Sequence, residues 1–183
     1  EILKNIPYHY LNVSGKPFEE TLSIMRRWVH KSVGFDENGN TKDCLVVYDY
    51  LKMLSGDKIS GSMQEYQVLG FMMTSLHNFA VRHDLPVLSF IQLNRDGIDR
   101  EATDVVSGSD RIVWLTSNLS IFKPKSDEEI AEDGGEEHGN RKLVPLKCRH
   151  GEGLAPGDYI NMHMEGKYAI IDEKETRNNL KQN

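Results

Sequence analysis

Two short apolar runs, each closed by a polar residue, constrain this chain more than anything else in it. Cys44-Leu45-Val46-Val47-Tyr48 is nearly continuous in apolar side chains and ends in Asp49, and Val87-Leu88-Ser89-Phe90-Ile91 ends in Gln92. A run without polar alternation predicts a strand buried on both faces, the habit of parallel sheets. Between the two lies a glycine- and serine-rich loop, Ser55 to Gly61. Ser62 and Glu65 then have capping-box spacing for a long helix reaching about His83, with Tyr66, Leu69, Met73, Leu76 and Ala80 as its apolar face. Strand, helix and strand at this spacing predict a βαβ unit with a right-handed crossover.

Before this unit, a short strand is expected over Tyr8–Val13, ended by Ser14-Gly15. A helix is expected from Pro17 to about Lys31. Pro17 suits its first turn, Glu19 and Glu20 suit the positive end of its dipole, and Phe18, Leu22, Met25 and Val29 recur at helical spacing. Asp36–Asn40 reads as a turn. After the unit, strands are expected over Arg111–Phe122, Lys142–Arg149, Tyr159–Met164 and Lys167–Ile171, the last two forming a hairpin around Glu165-Gly166. The reading is one α/β domain over residues 1–173, mostly parallel with antiparallel C-terminal strands, followed by a polar, fraying tail over 174–183.

The apolar runs, such as Pro86–Leu93, are too short to cross a bilayer, and Glu1, Lys4 and Asn5 interrupt any signal-peptide pattern. A chain opening without methionine is expected to be a fragment or a processed product. With only Cys44 and Cys148, both expected as buried free thiols, a reducing cytoplasmic location is favoured, in a bacterial or phage-infected cell. The net charge of −6 is uneven: Ser126–Glu137 holds seven acids and no base, which leaves the rest of the chain at +1. That stretch reads as a solvated loop, and net charge argues neither for nor against nucleic acid. The histidines lack metal-ligand spacing, and Ser107-Gly108-Ser109 does not fit a nucleophile elbow.

In open α/β sheets ligands bind beyond the carboxyl ends of the strands, where Asp49 and Gln92 are expected. An aspartate there suits Mg²⁺, a hard cation that prefers carboxylate oxygen, though many such residues only cap a turn. Taken together, three segments resemble DnaB-type replicative DNA helicases. Leu45–Leu54 (LVVYDYLKML) is similar to the family's Walker B strand, and Leu88–Arg95 (LSFIQLNR) to its sensor strand with the Gln-Leu-Asn-Arg ending. Lys147-Cys148-Arg149-His150-Gly151 resembles its Lys-x-Arg-x-Gly strand end. The resemblance spans about Tyr8 to Asp172, with the three motifs in family order.

This resemblance implies a RecA-like P-loop NTPase core, ATP or another NTP with Mg²⁺ as cofactors, and a ring, expected to be hexameric, that unwinds duplex DNA. Asp49 would help position Mg²⁺, Gln92 would sense the γ-phosphate, and Lys147 and Arg149 would reach a neighbouring subunit's nucleotide, with Arg149 as arginine finger. Single-stranded DNA would be met by Arg95, Arg100, Lys58 and the backbone at Gly108, and a primase or helicase loader would be a further partner. Read without the family, Lys147 and Arg149 are a surface pair guarding an edge strand.

The sequence also departs from the family. Val105-Val106 and Asp110-Arg111 flank Ser107-Gly108 where the family has Arg-x-Ser-Gly and a later Gln. No G-x-x-x-x-G-K-[ST] loop is present: Tyr10 and Pro17 fail it around Gly15-Lys16, and the catalytic glutamate has no counterpart. The core is therefore expected to be incomplete and this chain alone inactive. Two rivals stay open: a RecA- or RadA-type recombination ATPase, and a non-catalytic interaction module derived from a helicase.

Overall fold

The computed structural model describes residues 7–52, 65–92, 101–103 and 110–181, so the loop residues Lys58, Arg95, Arg100 and Gly108 and the cap residue Ser62 lie outside the described residues. The chain divides into two compact units, Glu1–Phe90 and Ile91–Asn183.

In the first unit, helix α1 spans Phe18–Trp28, with Glu19 and Glu20 in its first turn and Arg26 and Arg27 in its last, the order its dipole favours. The expected stripe is the buried one: Phe18, Leu22, Met25 and Val29 are at most 8% exposed. The chain then widens into a π-helical turn, Val29–Val33, closed by Gly34, whose N–H donates to the Val29 carbonyl at a φ of 77° that favours glycine. Asp36 ties off the next turn by accepting from the Asn38 and Asn40 amides at 2.9 and 2.8 Å. The strand expected over Tyr8–Val13 is irregular chain instead, with Tyr8 and Tyr10 exposed and His9 edge-on to Trp28.

Strand β1 is Val46–Leu51, helix α2 is Glu65–His83 and strand β2 is Val87–Ile91. The strands pair as a two-stranded sheet. The Val46 amide donates to the Pro86 carbonyl, and Ser89 Oγ to the Tyr48 carbonyl, so the partners advance together and the pairing is parallel. Phe18 packs edge-on to Tyr48 at 5.9 Å, seating α1 on β1. The buried stripe of α2 is Val68, Leu69, Met72, Leu76 and Phe79, rotated from the expected one, and Tyr66 is exposed. Burying Leu22 and Leu76, each 1% exposed, contributes about 2 kcal/mol apiece.

The second unit opens with a correction. Arg111–Phe122 is not one strand: Asp110–Leu115 forms helix α3, and strand β3 begins at Asn118 and runs to Pro124. Helix α4 (Asp127–Glu132) follows, then a 3₁₀ turn, strand β4 (Arg141–Cys148), β5 (Ile160–Glu165), β6 (Ile170–Thr176) and helix α5 (Arg177–Leu180). The four strands make an antiparallel sheet in the order β3-β4-β5-β6. Among the described strands, antiparallel pairing therefore outweighs the mostly parallel sheet that was expected. Pro145, which has no amide hydrogen, sits at a bulge where Leu119 faces Lys147 and Ser120 faces Pro145. Gly139 lies where a Cβ would come 2.8 Å from the Met162 carbonyl oxygen, at a φ of 118°. Next to it the Asn140 amide imitates a strand, exchanging two hydrogen bonds with the Met164 backbone.

The acidic stretch is not a solvated loop. Ser126 and Glu129 form a capping box on α4, and the helix docks through its charges. Lys125 and Asp133, both with fully buried side chains, pair at 2.6 Å. The Tyr159 hydroxyl donates to Asp133, and Lys125 donates to Asn161, each at 2.8 Å. Glu129 pairs with Lys142, and Glu132 with Arg177. Glu101 pairs with both Lys123 and Lys142. Residues 174–181 belong to this framework rather than to a loose tail. Thr176 caps α5, and the Asn178 amide donates to Asp158. No helix among the described residues is long and apolar enough to cross a membrane.

Two pH responses follow. Burial, with the His30, Arg82 and Arg26 side chains around it, holds His83 below its usual 6.5. The unfolded chain thus takes up that proton first, so stability is full above pH 6.5 and falls as the pH drops below it. Thermal melts of His83→Gln will show a flatter pH dependence than wild type between about pH 7.5 and 5.5. Burial pushes the Asp133 carboxyl up, but hydrogen bonds from Lys125 and Tyr159 and the charges of Lys125 and Arg177 outweigh it and hold it below 3.8. That stabilisation is present above 3.8 and is lost as pH falls through the lower folded value. At neutral pH, Asp133→Asn strands the Lys125 charge and costs about 3–5 kcal/mol in urea unfolding, and a loss under 1 kcal/mol would contradict the pairing.

Candidate functional site

Parallel pairing puts the carboxyl ends of β1 and β2 at the same edge of their small sheet. Asp49 is exposed and lies in the fourth position of β1, which continues through Tyr50 and Leu51. It therefore sits inside the strand rather than closing it, and the peptide bond to Tyr50 is cis. Gln92, also exposed, directly follows β2. The strands are not buried on both faces: Leu45, Val47, Leu88 and Phe90 are each about half exposed, on the face that carries Asp49. Alternation of buried and exposed positions is hidden in the sequence because both faces carry apolar residues.

Lys147 and Arg149 come from the end of β4 and just beyond it, past the bulge. β4 lies between β3 and β5, but its pairing with β5 runs only from Arg141 to Leu143, so Lys147 stands on a stretch of β4 paired with β3 alone among the described residues. Both side chains turn to the C-terminus of α3. Lys147 Nζ donates to the carbonyls of Val113 and Trp114, the latter at 3.3 Å, and Arg149 donates to Trp114 at 2.7 Å. The Arg149 backbone amide also holds the Ser117 carbonyl at 2.9 Å. Cations there satisfy carbonyls that a helix end leaves open and meet the negative end of its dipole. Burial beside α3, with the Arg149 charge, holds Lys147 below the usual lysine range.

Sequence reasoning missed α3, and with it this contact. Val113, Trp114 and Leu115 have strand propensity, while the helical cues are Asp110 at the start and the Ile112–Leu115 spacing. It also missed Glu101, whose pairing no local pattern announces. Cys148, expected buried, is exposed, and both cysteines are free thiols. No group of three or more His, Cys, Asp or Glu able to hold a metal exists among the described residues. Among the described residues, a site at Asp49 would offer that residue's own carboxylate. That is compatible with Mg²⁺, which keeps several waters and takes one or two carboxylates plus phosphate oxygens.

Compared with models of known protein families, the sequence matches none, and no curated protein matches it. Its fold does have a counterpart. The chain superimposes on a DnaB-like replicative helicase, from a structure concerned with that helicase's interactions with primase, at a TM-score of 0.66 and 15% sequence identity. The match covers 88% of this chain and 36% of the helicase chain, so this chain spans about a third of the length of the protein it matches. At that identity the likeness is one of fold.

Proposed function

We propose that this chain is part of the RecA-like motor of a ring-forming, NTP-driven replicative DNA helicase, working 5′ to 3′ and inactive by itself. What supports the reading most is a coincidence of two independent kinds of likeness. The fold follows a DnaB-like helicase over 88% of the chain at only 15% identity. The few segments that resemble the family in sequence are the ones its chemistry needs: LVVYDYL, FIQLNR and KCRHG.

In this reading Asp49 holds Mg²⁺, through water or directly, and Gln92 meets the γ-phosphate from the end of the adjoining strand. Bound NTP supplies the phosphoryl group whose transfer to water drives movement. Lys147 and Arg149 act on a nucleotide held by the next subunit, where a planar, permanently charged guanidinium suits the charge spreading over phosphoryl oxygens. Arg95, Arg100, Lys58 and Gly108 would lie along single-stranded DNA, and primase or a loader would bind the ring elsewhere.

One observation favours a second reading, the non-catalytic module. Lys147 and Arg149 already have a structural task on α3. If that is their whole role, Arg149→Ala lowers stability by about 1 kcal/mol or less and touches no reaction. The helicase reading expects something else of the full-length protein. Arg149→Ala lowers DNA-stimulated NTP hydrolysis by about 10³-fold, and Asp49→Ala abolishes it. Mixing the two inactive variants restores part of the activity, because one supplies an intact Asp49 site and the other an intact Arg149. Full activity in either variant, or mixtures as inactive as their components, would rule out a shared site.

A further inference from the structure

The contact between the cation pair and α3 bears on how such a site would be used, and the argument rests on the proposed shared-site reading. We propose that Lys147 and Arg149 are stored on the C-terminal carbonyls of α3, and that triphosphate oxygens held by a second copy of the chain take them by competition. The last turn of α3 then responds to the neighbour's nucleotide.

Three features of the geometry support an exchange rather than a permanent cap. The acceptors are neutral carbonyls, those of Val113 and Trp114, and an anionic phosphate is a much stronger partner for a guanidinium or ammonium. The two like charges are crowded onto one helix end, both donating to the Trp114 carbonyl, and an arriving anion relieves that crowding. Vacating the helix end is also inexpensive. Both bonds to the Trp114 carbonyl lie at the exposed surface, so water can replace the departing donors there.

What stays fixed matters equally. The Arg149 amide remains bonded to Ser117, so the arginine swings on its side chain while its backbone holds position. Thr116 keeps its amide and hydroxyl on Ile112, and Ile112 is buried. These bonds close the last turn of α3 and Thr116 also donates to the Val113 carbonyl at 3.2 Å, so the change falls on the acceptors that the cations leave, above all the Trp114 carbonyl. Because α3 starts at Asp110, loosening its end acts on a helix that directly follows the 95–108 segment assigned to DNA in the reading above.

Hydrogen exchange on the assembled full-length protein tests this, with the non-hydrolysable β,γ-imido analogue of ATP and Mg²⁺ as the probe. Adding the analogue should speed exchange over residues 111–117 by about fivefold, the scale of losing one charge–dipole cap. In Lys147→Met/Arg149→Gln, exchange there should be fast with and without the analogue. Arg149→Gln alone, which leaves Lys147 on α3, should give an intermediate response if the double variant does not fold.

Unchanged exchange at α3 while equilibrium dialysis shows the analogue bound, and while variant mixing shows shared sites, would overturn the storage proposal and leave the helicase reading standing. A nucleotide response of wild-type size in either variant would overturn it as well. Failure of the analogue to bind, or of mixing to restore activity, would instead remove the reading on which the proposal depends.

Discussion

The buried pair of Lys125 and Asp133 is the constraint around which the second unit is organised. Two ions with fully buried side chains are tolerable only if each is paired and hydrogen-bonded, and both conditions are met here. Tyr159 and Asn161 complete the set, and both come from the neighbourhood of β5. Tyr159 is 1% exposed and packs with Ile121 and Val144, so its ring belongs to the apolar core while its hydroxyl belongs to the ion pair. Lys142 and Arg177 stand over the same ring at 5.0 and 5.3 Å. One residue thus joins the sheet's hydrophobic packing to its charge network, and β3, α4, β5 and α5 are all fixed by their approach to it. Burial and the Asp133 carboxylate beside it push the Tyr159 phenol far up, so it stays a donor at any ordinary pH.

This explains why the acidic stretch misleads when it is read by charge alone. Seven acids in twelve residues look like a segment that only solvent can accommodate. Yet Asp133 meets Lys125, just ahead of the stretch, while Glu129 and Glu132 meet Lys142 and Arg177 farther along the chain. Sequence proximity shows like charges repelling, whereas most of the tertiary contacts that offset them are long-range and invisible locally. The capping box at Ser126 and Glu129 was readable from spacing and would have placed a helix there.

Legibility elsewhere followed the same division between local and non-local causes. The stripe of α1 was readable because Phe18, Leu22, Met25 and Val29 keep helical spacing and most residues between them are polar. In α2 apolar residues occur all around the helix, so periodicity alone did not select Val68, Met72 and Phe79 over Tyr66 and Met73. The order of strand, helix and strand was readable. The half-exposed face of β1 and β2 was not, because what covers a strand is a property of its neighbours. At the candidate site, residue types and motif order were legible at Asp49, Gln92, Lys147 and Arg149. The partners of the last two were not, since they are backbone carbonyls of a helix whose sequence resembles a strand.

The two units handle polar groups in opposite ways, and this bears on where chemistry belongs. In the second unit, Lys125, Lys142, Asp133 and Asn161 are buried and matched, an arrangement that fixes a framework and offers little to a ligand. In the first, Asp49 is an exposed carboxylate inside an otherwise apolar parallel strand, where it adds nothing to the packing. That face of the strand is about half open to solvent, so the carboxylate stays hydrated there at little cost. Lys147 and Arg149 stand between these extremes: bound, but to neutral carbonyls at a solvent-facing helix end rather than to buried carboxylates. Their acceptors are the carbonyls that the end of α3 leaves open, so the pair caps a helix where Lys125 and Lys142 neutralise buried or half-buried carboxylates.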